Sequence, residues 1–385
     1  MNNNLLNKRK IIHLITPYLS HTGSWIYSQI NGLQKFTPIV FTQMKENVDL
    51  FPLANIISAE EFSFSKRFVN RLYRMLSGNF GLFFYNEIRK YRPLLVHAHM
   101  GFEGARWLDL IQKTKLPLIT TFYGQDVSKL AKIAKWRKRY KLLFEYGAIF
   151  LAEGNYLKKQ LIDIGCPEEK IIIQHLGVDV NTYPQKQYKN NGKIIILQVS
   201  TFREKKGIEY SLKAIASIYK EFPNIEFRLI GKGDSTEVDQ NMHSIAVQYG
   251  IKDIVCFLGI KPHHNLIEEY CHADIFIHPS VTAQDGDNEG GSPVSIIEAS
   301  AIGLPIISTK HADIPEVVIH EETGLLAPER DVFCLSEMLR LLIIKPEKRK
   351  EMGDKGRRHI ENNYNINHQI SKLEDIYLKV IEQNT

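Results

Sequence analysis

The chain has 385 residues, 44% of them hydrophobic and 24% charged, which suits about two globular domains and excludes a disordered, collagenous or coiled-coil protein. Its net charge of +6 hides an asymmetry: residues 1–190 carry +13 and residues 191–385 carry −7, so the first half is suited to face an anionic partner. The longest apolar runs are far shorter than the ~20 residues of a membrane helix, MNNNLLNKRKIIHLIT lacks a signal-peptide apolar region, and four scattered cysteines without CxxC offer neither a zinc site nor a disulfide framework; a soluble, cytoplasmic chain is expected.

Residues 10–16 (KIIHLIT) read as a buried strand, followed by the turn SHTGSW and an amphipathic stretch to residue 34. Strand TPIVFTQ, one helix over 70–91, strand PLLVHAH, helix GARWLDLIQK and strand PLITTFYG come next. The theme repeats with AIFLAEG, YLKKQLIDIG and KIIIQHLG. A second series starts at KIIILQVS (193–200) and runs through a helix at 207–221, IEFRLIG, MHSIAVQYG, IVCFLG, HHNLIEEYC, DIFIHPS, PVSIIEASAIG, PIISTK, GLLAP and VFCLSEMLRLLI. Short apolar strands alternating with helices mean parallel sheets covered on both faces. The polar tract 183–193 reads as the linker. The expected domains are 1–190, 191–365, and a terminal helix, 366–385, packing back on the first domain. Ligands of such sheets bind at the carboxyl ends of the strands, so two doubly wound α/β domains facing a cleft imply an enzyme with two substrates.

Two stretches carry chemistry. In DGDNEGGSPVSIIEA a polar, Gly-rich loop enters a helix beginning near Pro293, whose unpaired N–H groups and positive dipole end suit a diphosphate. Gly290, Gly291, Ser292, Pro293 and Val294 form that entry. Glu289 precedes it and Glu298 lies one to two turns inside, so two carboxylates flank the phosphate turn and can hold sugar hydroxyls. In VSTFREKKGIEY, Arg203, Lys205 and Lys206 precede Gly207 at a strand-to-helix loop, where cations neutralise a leaving diphosphate. Standing alone, each motif equally describes a capped or charged helix start.

In order and spacing, VSTFREKKG, RLIGKGD, EGGSPVSIIEA, GLPIIST, DIPEVV and EETGLLAP resemble glycosyltransferase family 4, and VHAHMG, TTFYGQD and IIIQHLGVD extend the resemblance over most of the chain. It implies a GT-B fold and retaining transfer of a hexose-type sugar from a UDP- or GDP-linked donor. It is similar to bacterial exopolysaccharide and lipopolysaccharide transferases of colanic acid type. Lys206 takes the place of the family lysine that binds the donor diphosphate. The family arginine position holds Thr201, with Arg203 close by to supply the charge. Glu298 matches the ribose-binding glutamate and Glu289 the glutamate that contacts the donor sugar. Eight residues separate them instead of seven, and a one-residue bulge would restore the placement. Gly231 is expected beside the nucleotide base and Gly23 beside the donor phosphate. His99 and Asp126 are the catalytic candidates of the first half, with Tyr123 replacing a family histidine.

Retention by a same-face mechanism needs positioning and charge stabilisation and no protein nucleophile, in keeping with a chain that shows no Ser-His-Asp pattern. No metal and no cofactor beyond the substrate nucleotide are expected. The expected partners are the sugar nucleotide, a saccharide acceptor (lipid-linked, by the resemblance) and the anionic inner membrane surface. SKRFVNRLYRML (65–76) and KLAKIAKWRKRYKLLF (129–144) both interleave basic with apolar residues, as membrane-surface segments do; the plainer account is that their apolar residues pack on the sheet. A GT-B sugar-nucleotide epimerase is the alternative, and forming an epimer without acceptor would distinguish it. A nucleic-acid-binding role lacks a helix-turn-helix, zinc or RNP signature.

Overall fold

A computed structural model describes residues 9–20, 23–188 and 192–384. The chain forms two compact units, Met1–Gly177 with Ile366–Thr385, and Val178–Asn365. Each is built on a wholly parallel sheet.

The first unit contains β1 (Arg9–Leu14), β2 (Phe36–Thr42), β3 (Ile56–Ser58), β4 (Leu95–His99), β5 (Leu118–Thr121), β6 (Ile149–Ala152) and β7 (Ile171–Ile173), in spatial order β3-β2-β1-β4-β5-β6-β7. Successive side chains of a strand point to opposite faces, and both faces are buried here. Ile12, Leu14, Val96 and Ala98 face a layer that includes Trp107, Leu143 and Phe144. Ile11, Leu95 and Ile119 face Ile370, Leu373 and Tyr377 of the terminal helix Ile366–Glu382. Each fully buried side chain of this kind stabilises by about 1.5–3 kcal/mol. That helix also caps a turn of its own unit: the Glu374 carboxylate accepts the Gln34 and Lys35 amides at 2.7 and 2.6 Å.

The second unit contains β8 (Ile194–Val199), β9 (Ile225–Ile230), β10 (Val255–Phe257), β11 (Ile275–His278), β12 (Ile306–Thr309) and β13 (Gly324–Ala327), ordered β10-β9-β8-β11-β12-β13. Its core joins Ile196, Phe227, Ile275 and Ile307 to Leu212 and Ile215 of helix Ile208–Ile218 and to Leu335, Leu339 and Leu342 of helix Val332–Ile344. In each sheet the strand order reverses once, between β1 and β4 and between β8 and β11. A crevice forms at the carboxyl ends of the strands at such a switch point.

The structure departs from the sequence expectations in four places. The break between units falls at Gly177–Val178, not at 190. Of the tract read as a linker, residues 183–188 are fastened into the second unit: Lys186 Nζ donates to the Cys271 carbonyl at 2.9 Å and Tyr188 OH to the Gly303 carbonyl at 2.6 Å. Residues 189–191 lie outside the described residues. The single helix over 70–91 is two, Phe64–Ser77 and Phe84–Tyr91, because Gly78 takes a left-handed conformation (φ 72°) that ends the first. Finally, β3 and the helix Pro346–Asn363 were not anticipated. The strand is too short for a period to show, and the helix is charged on most of its surface.

Candidate functional site

The expected diphosphate residues assemble at the switch point of the second unit. After β8, a short turn, Glu204–Lys206, leads through Gly207 into helix Ile208–Ile218. Gly207 has φ 64°, and a Cβ there would overlap the Pro279 carbonyl. The buried Gln198 of β8 donates to the Lys206 carbonyl at 2.9 Å and accepts from Ser211 Oγ at 2.7 Å, which fixes the turn. Lys206 Nζ thereby meets Glu289 Oε2 at 2.7 Å across the β8 and β11 loops.

Glu289 is buried, and its other carboxylate oxygen accepts Ser280 Oγ at 2.9 Å. His278 Nε2 stands 3.6 Å from the same oxygen and has no hydrogen-bond partner among the described residues. Burial pushes the Glu289 carboxyl up, but the Lys206 ammonium, His278 and Lys205 outweigh it and hold the group well below the usual carboxylate range. Burial keeps His278 neutral, with its pKa lowered despite the carboxylate. The chain reverses just after Glu289: Gly290 is left-handed (φ 72°), and the Gly291 amide turns back to the Glu289 carbonyl at 2.9 Å. Lys205 ties the loop down through Asp287 Oδ1 (3.2 Å) and the Asn288 carbonyl (2.9 Å).

The following helix is Val294–Ile302, with Pro293 capping it one position earlier than its expected place inside the first turn. Its N-terminus carries the orphan N–H groups that favour an anion. Beside it, Ser292 Oγ is buried without a partner among the described residues. Glu298, further along, accepts Tyr183 OH (3.1 Å) and Tyr270 OH (3.0 Å), with His263 Nε2 at 3.7 Å. Hydrogen bonding to Glu298 raises the His263 pKa against burial. Gly231 has φ 137°, and a Cβ there would overlap the Ser200 carbonyl, so the chain after β9 can approach the β8 loop only as glycine. Arg203 is not gathered with Lys206: its guanidinium forks onto Asp234 at 3.1 and 3.3 Å.

In the first unit, Gly23 starts helix Ser24–Asn31, which sets Trp25 edge-on to Tyr123 at 4.4 Å. Tyr123 OH bonds His99 Nδ1 at 2.9 Å, and His99 Nε2 meets His13 Nδ1 at 3.1 Å. His97 bonds Tyr377 OH (2.6 Å) and Thr121 Oγ1 (2.7 Å). The three imidazoles form one buried cluster at the β1–β4 switch point, reachable from sequence only in part because His13 lies on a different strand. One nitrogen from each lies within 4.8 Å of the others, a metal-capable donor set that sequence spacing did not reveal. Both nitrogens of His97 are already bonded to hydroxyls. Burial lowers the pKa of all three, that of His13 to about 3. Asp126 is occupied in holding the loop: its carboxylate accepts the Gly101, Tyr123 and Gly124 amides at 2.8, 3.2 and 2.9 Å. That arrangement holds the loop and positions Tyr123.

Sequence reasoning did not single out Ser280, His278, Tyr183, Tyr270, His311 or Glu329. His278 and Ser280 lie in DIFIHPS and Tyr270 in HHNLIEEYC, stretches read as whole elements, Tyr183 opens the tract read as a linker, and the strand order brings His311 and Glu329 beside the loop.

Models of known families match the chain in two consecutive parts: "Glycosyltransferase Family 4" over residues 34–182 and "Glycosyl transferases group 1" over residues 179–359. A protein of Escherichia coli named for colanic acid biosynthesis, the glycosyltransferase WcaL, is 30% identical over 72% of this chain and 69% of its own length. The amylovoran biosynthesis glycosyltransferase AmsK of Erwinia amylovora is 32% identical over 63% of this chain and 59% of its own. Among solved structures, a sucrose-phosphate synthase from Thermosynechococcus elongatus covers 98% of this chain with TM-score 0.76 at 17% identity. HepE of Anabaena, solved with UDP and glucose, covers 96% with TM-score 0.77 at 14% identity.

Proposed function

The chain belongs to the family 4 glycosyltransferases, with the GT-B fold, and from that premise we propose that it moves a hexose from a UDP- or GDP-linked donor to a saccharide acceptor in the assembly of a bacterial surface polysaccharide. The observation that carries this reading is the Lys206–Glu289 pair at the switch point of the second unit, beside a helix N-terminus with a buried serine hydroxyl that has no partner among the described residues. Lys206 and the helix N-terminus supply positive charge where the nucleoside diphosphate leaves, which is worth most in a site screened from water. Glu289 takes a hydroxyl of the donor sugar, and Glu298, between its two phenols, takes the ribose. The leaving phosphate receives the acceptor proton on the same face, so the configuration is retained and no resident cofactor is invoked. The epimerase alternative is not favoured, since the named relatives are transferases.

The acceptor in this reading is lipid-linked and met at an anionic membrane surface. Among the described residues no helix is long and apolar enough to cross a membrane. Helix Phe64–Ser77 supports surface binding instead: Phe64, Phe68, Leu72, Met75 and Leu76 recur at helical spacing and are exposed, Phe64 by 79% and Leu76 by 76%. Lys66, Arg67 and Arg71 lie among them. The other basic segment differs, because Tyr140, Leu143 and Phe144 turn inward to the core.

The test is incubation of the chain with UDP-glucose and with GDP-mannose, each with and without a lipid-linked saccharide, followed by mass analysis of the acceptor and NMR of its anomeric centre and of the recovered donor. The expected product is an acceptor heavier by one hexose, with α configuration from an α-linked donor. Inverted product would overturn retention, and an epimerised donor without acceptor would overturn the transfer reading.

A further inference from the structure

The loop that carries Glu289 is long, polar and held from behind by a pair of side chains from two other strands. Lys310 and His311 follow β12, and Glu329 follows β13; the parallel pairing of these strands, with the Lys310 amide bonded to the Ala327 carbonyl at 2.8 Å, brings His311 and Glu329 together. His311 Nδ1 lies 2.7 Å from Glu329 Oε1. His311 Nε2 lies 3.2 Å from the backbone nitrogen of Glu289. An amide N–H only donates, so Nε2 must be the unprotonated acceptor and Nδ1–H must donate to Glu329. The tautomer is thus set by its two neighbours. Glu329 is itself anchored, accepting the Thr282 amide at 2.8 Å, and Arg330 reaches both Glu329 Oε2 and the Thr282 carbonyl.

The imidazole is 2% exposed, and it touches the loop where the chain reverses through left-handed Gly290. The side chain of Glu289 goes one way, to Lys206 and Ser280; its amide goes the other, to His311. Between them they leave the residue one orientation. Without the imidazole lone pair the Glu289 amide would be buried and unpaired, at the entry to a turn made by two glycines whose backbone freedom is large.

We propose that His311, held in its Nδ1–H tautomer by Glu329, is a positioning residue for Glu289, fixing the main chain of the donor-sugar loop so that the carboxylate points at the sugar. This rests on the reading of Glu289 as the group that takes a donor hydroxyl. His311 touches neither nucleotide nor sugar and acts only through the loop.

The test is a double-mutant cycle on the full chain, read as release of UDP from UDP-glucose or of GDP from GDP-mannose, whichever the wild type turns over, alongside affinity for the free nucleoside diphosphate. His311→Phe, which keeps the volume and loses the acceptor, is expected to lower kcat about 10–100-fold, the scale of a misplaced reacting group. Affinity for the sugar-free diphosphate is expected to stay within about twofold, since that contact belongs to Lys206 and the helix N-terminus. His311→Gln, whose side-chain carbonyl can accept the amide, is expected to recover most of the loss. In the Glu289→Gln background, His311→Phe is expected to cost less than about twofold, because residues acting through one another are not additive. Equal cost in both backgrounds, or equal loss of diphosphate affinity, would overturn the proposal in favour of a purely structural histidine. If Glu289→Gln alone leaves turnover unchanged, the reading of Glu289 falls and the proposal falls with it. If it lowers turnover while His311→Phe does not, only the proposal falls. Should His311→Phe melt below the assay temperature, the Glu329→Ala variant is put through the same cycle, with the same outcomes deciding.

Discussion

Lys206 Nζ and Glu289 Oε2 are 2.7 Å apart, and their side chains are 16% and 5% exposed. Removing one partner of such a pair strands a buried charge. Lys206→Ala is expected to cost at least about 10²-fold in kcat/KM by loss of the cation at the diphosphate. It is also expected to destabilise by about 3–5 kcal/mol, because the buried Glu289 carboxyl loses its main counter-charge. Adding Glu289→Gln should restore the melting temperature and not the activity. Paired thermal melts and turnover measurements check this; a single variant with unchanged activity would remove Lys206 from the donor site.

Backbone shape makes a separate claim. Gly207 and Gly231 both take positive φ, and a Cβ on either overlaps a carbonyl, of Pro279 and Ser200 respectively. Gly207→Ala and Gly231→Ala are each expected to destabilise the second unit by more than about 1 kcal/mol and to weaken sugar-nucleotide binding. Gly250 is the control, with φ 69° and nothing near its Cβ position, so Gly250→Ala carries only the conformational part of the cost. Equal melting temperatures for all three variants would refute the close approach.

Protonation of the His13, His97 and His99 cluster sets a pH dependence for the first unit. Burial lowers the folded pKa of each below the ordinary 6.5, that of His13 to about 3. Stability from keeping these rings neutral is therefore fully present above pH 6.5 and is lost as pH falls toward 3, by up to about 1.4 kcal/mol per pH unit per ring. All three tryptophans (Trp25, Trp107, Trp136) lie in this unit, so their fluorescence reports it selectively. The urea midpoint read this way should drop between pH 7 and pH 5, and His13→Gln should flatten the slope. Because the buried Glu103 carboxyl, raised to about 7, titrates oppositely in the same unit, the difference between the two proteins decides, and equal slopes for the wild type and His13→Gln would contradict the neutral cluster.

Membrane binding is expected to depend on helix Phe64–Ser77. Co-sedimentation with anionic liposomes should be strong at low salt and weak at high salt, each basic residue near the surface contributing about 1 kcal/mol. Replacing Phe64, Phe68 and Leu76 together by Ser should abolish it without lowering the melting temperature, since these side chains are solvent-exposed. Recovery in the supernatant with every liposome and salt condition would refute the surface role and leave donor chemistry untouched.

Much of this architecture is written locally. Apolar runs such as Ile194–Val199 and Ile225–Ile230 announce buried parallel strands, and Lys206, Glu289 and Glu298 sit in motifs whose Gly-rich turns show a helix start. Strand order is written nowhere locally, and it decides the rest. It places His311 and Glu329 behind Glu289 and puts His13 beside His97 and His99. Arg203 shows the converse error: proximity in sequence to Lys206 suggested a shared ligand, but the β9 loop offers Asp234 first. Asp126 in TTFYGQD has a further part that sequence does not show, holding three backbone amides on its carboxylate.

The most direct measurement of the central claim is calorimetric titration of the wild type and Lys206→Ala with UDP-glucose, GDP-mannose and their free nucleoside diphosphates. The account predicts saturable binding of one nucleotide series to the wild type, weakened at least about tenfold in Lys206→Ala. Binding of neither series, or equal affinity in the two proteins, would contradict a donor site built on Lys206 and Glu289.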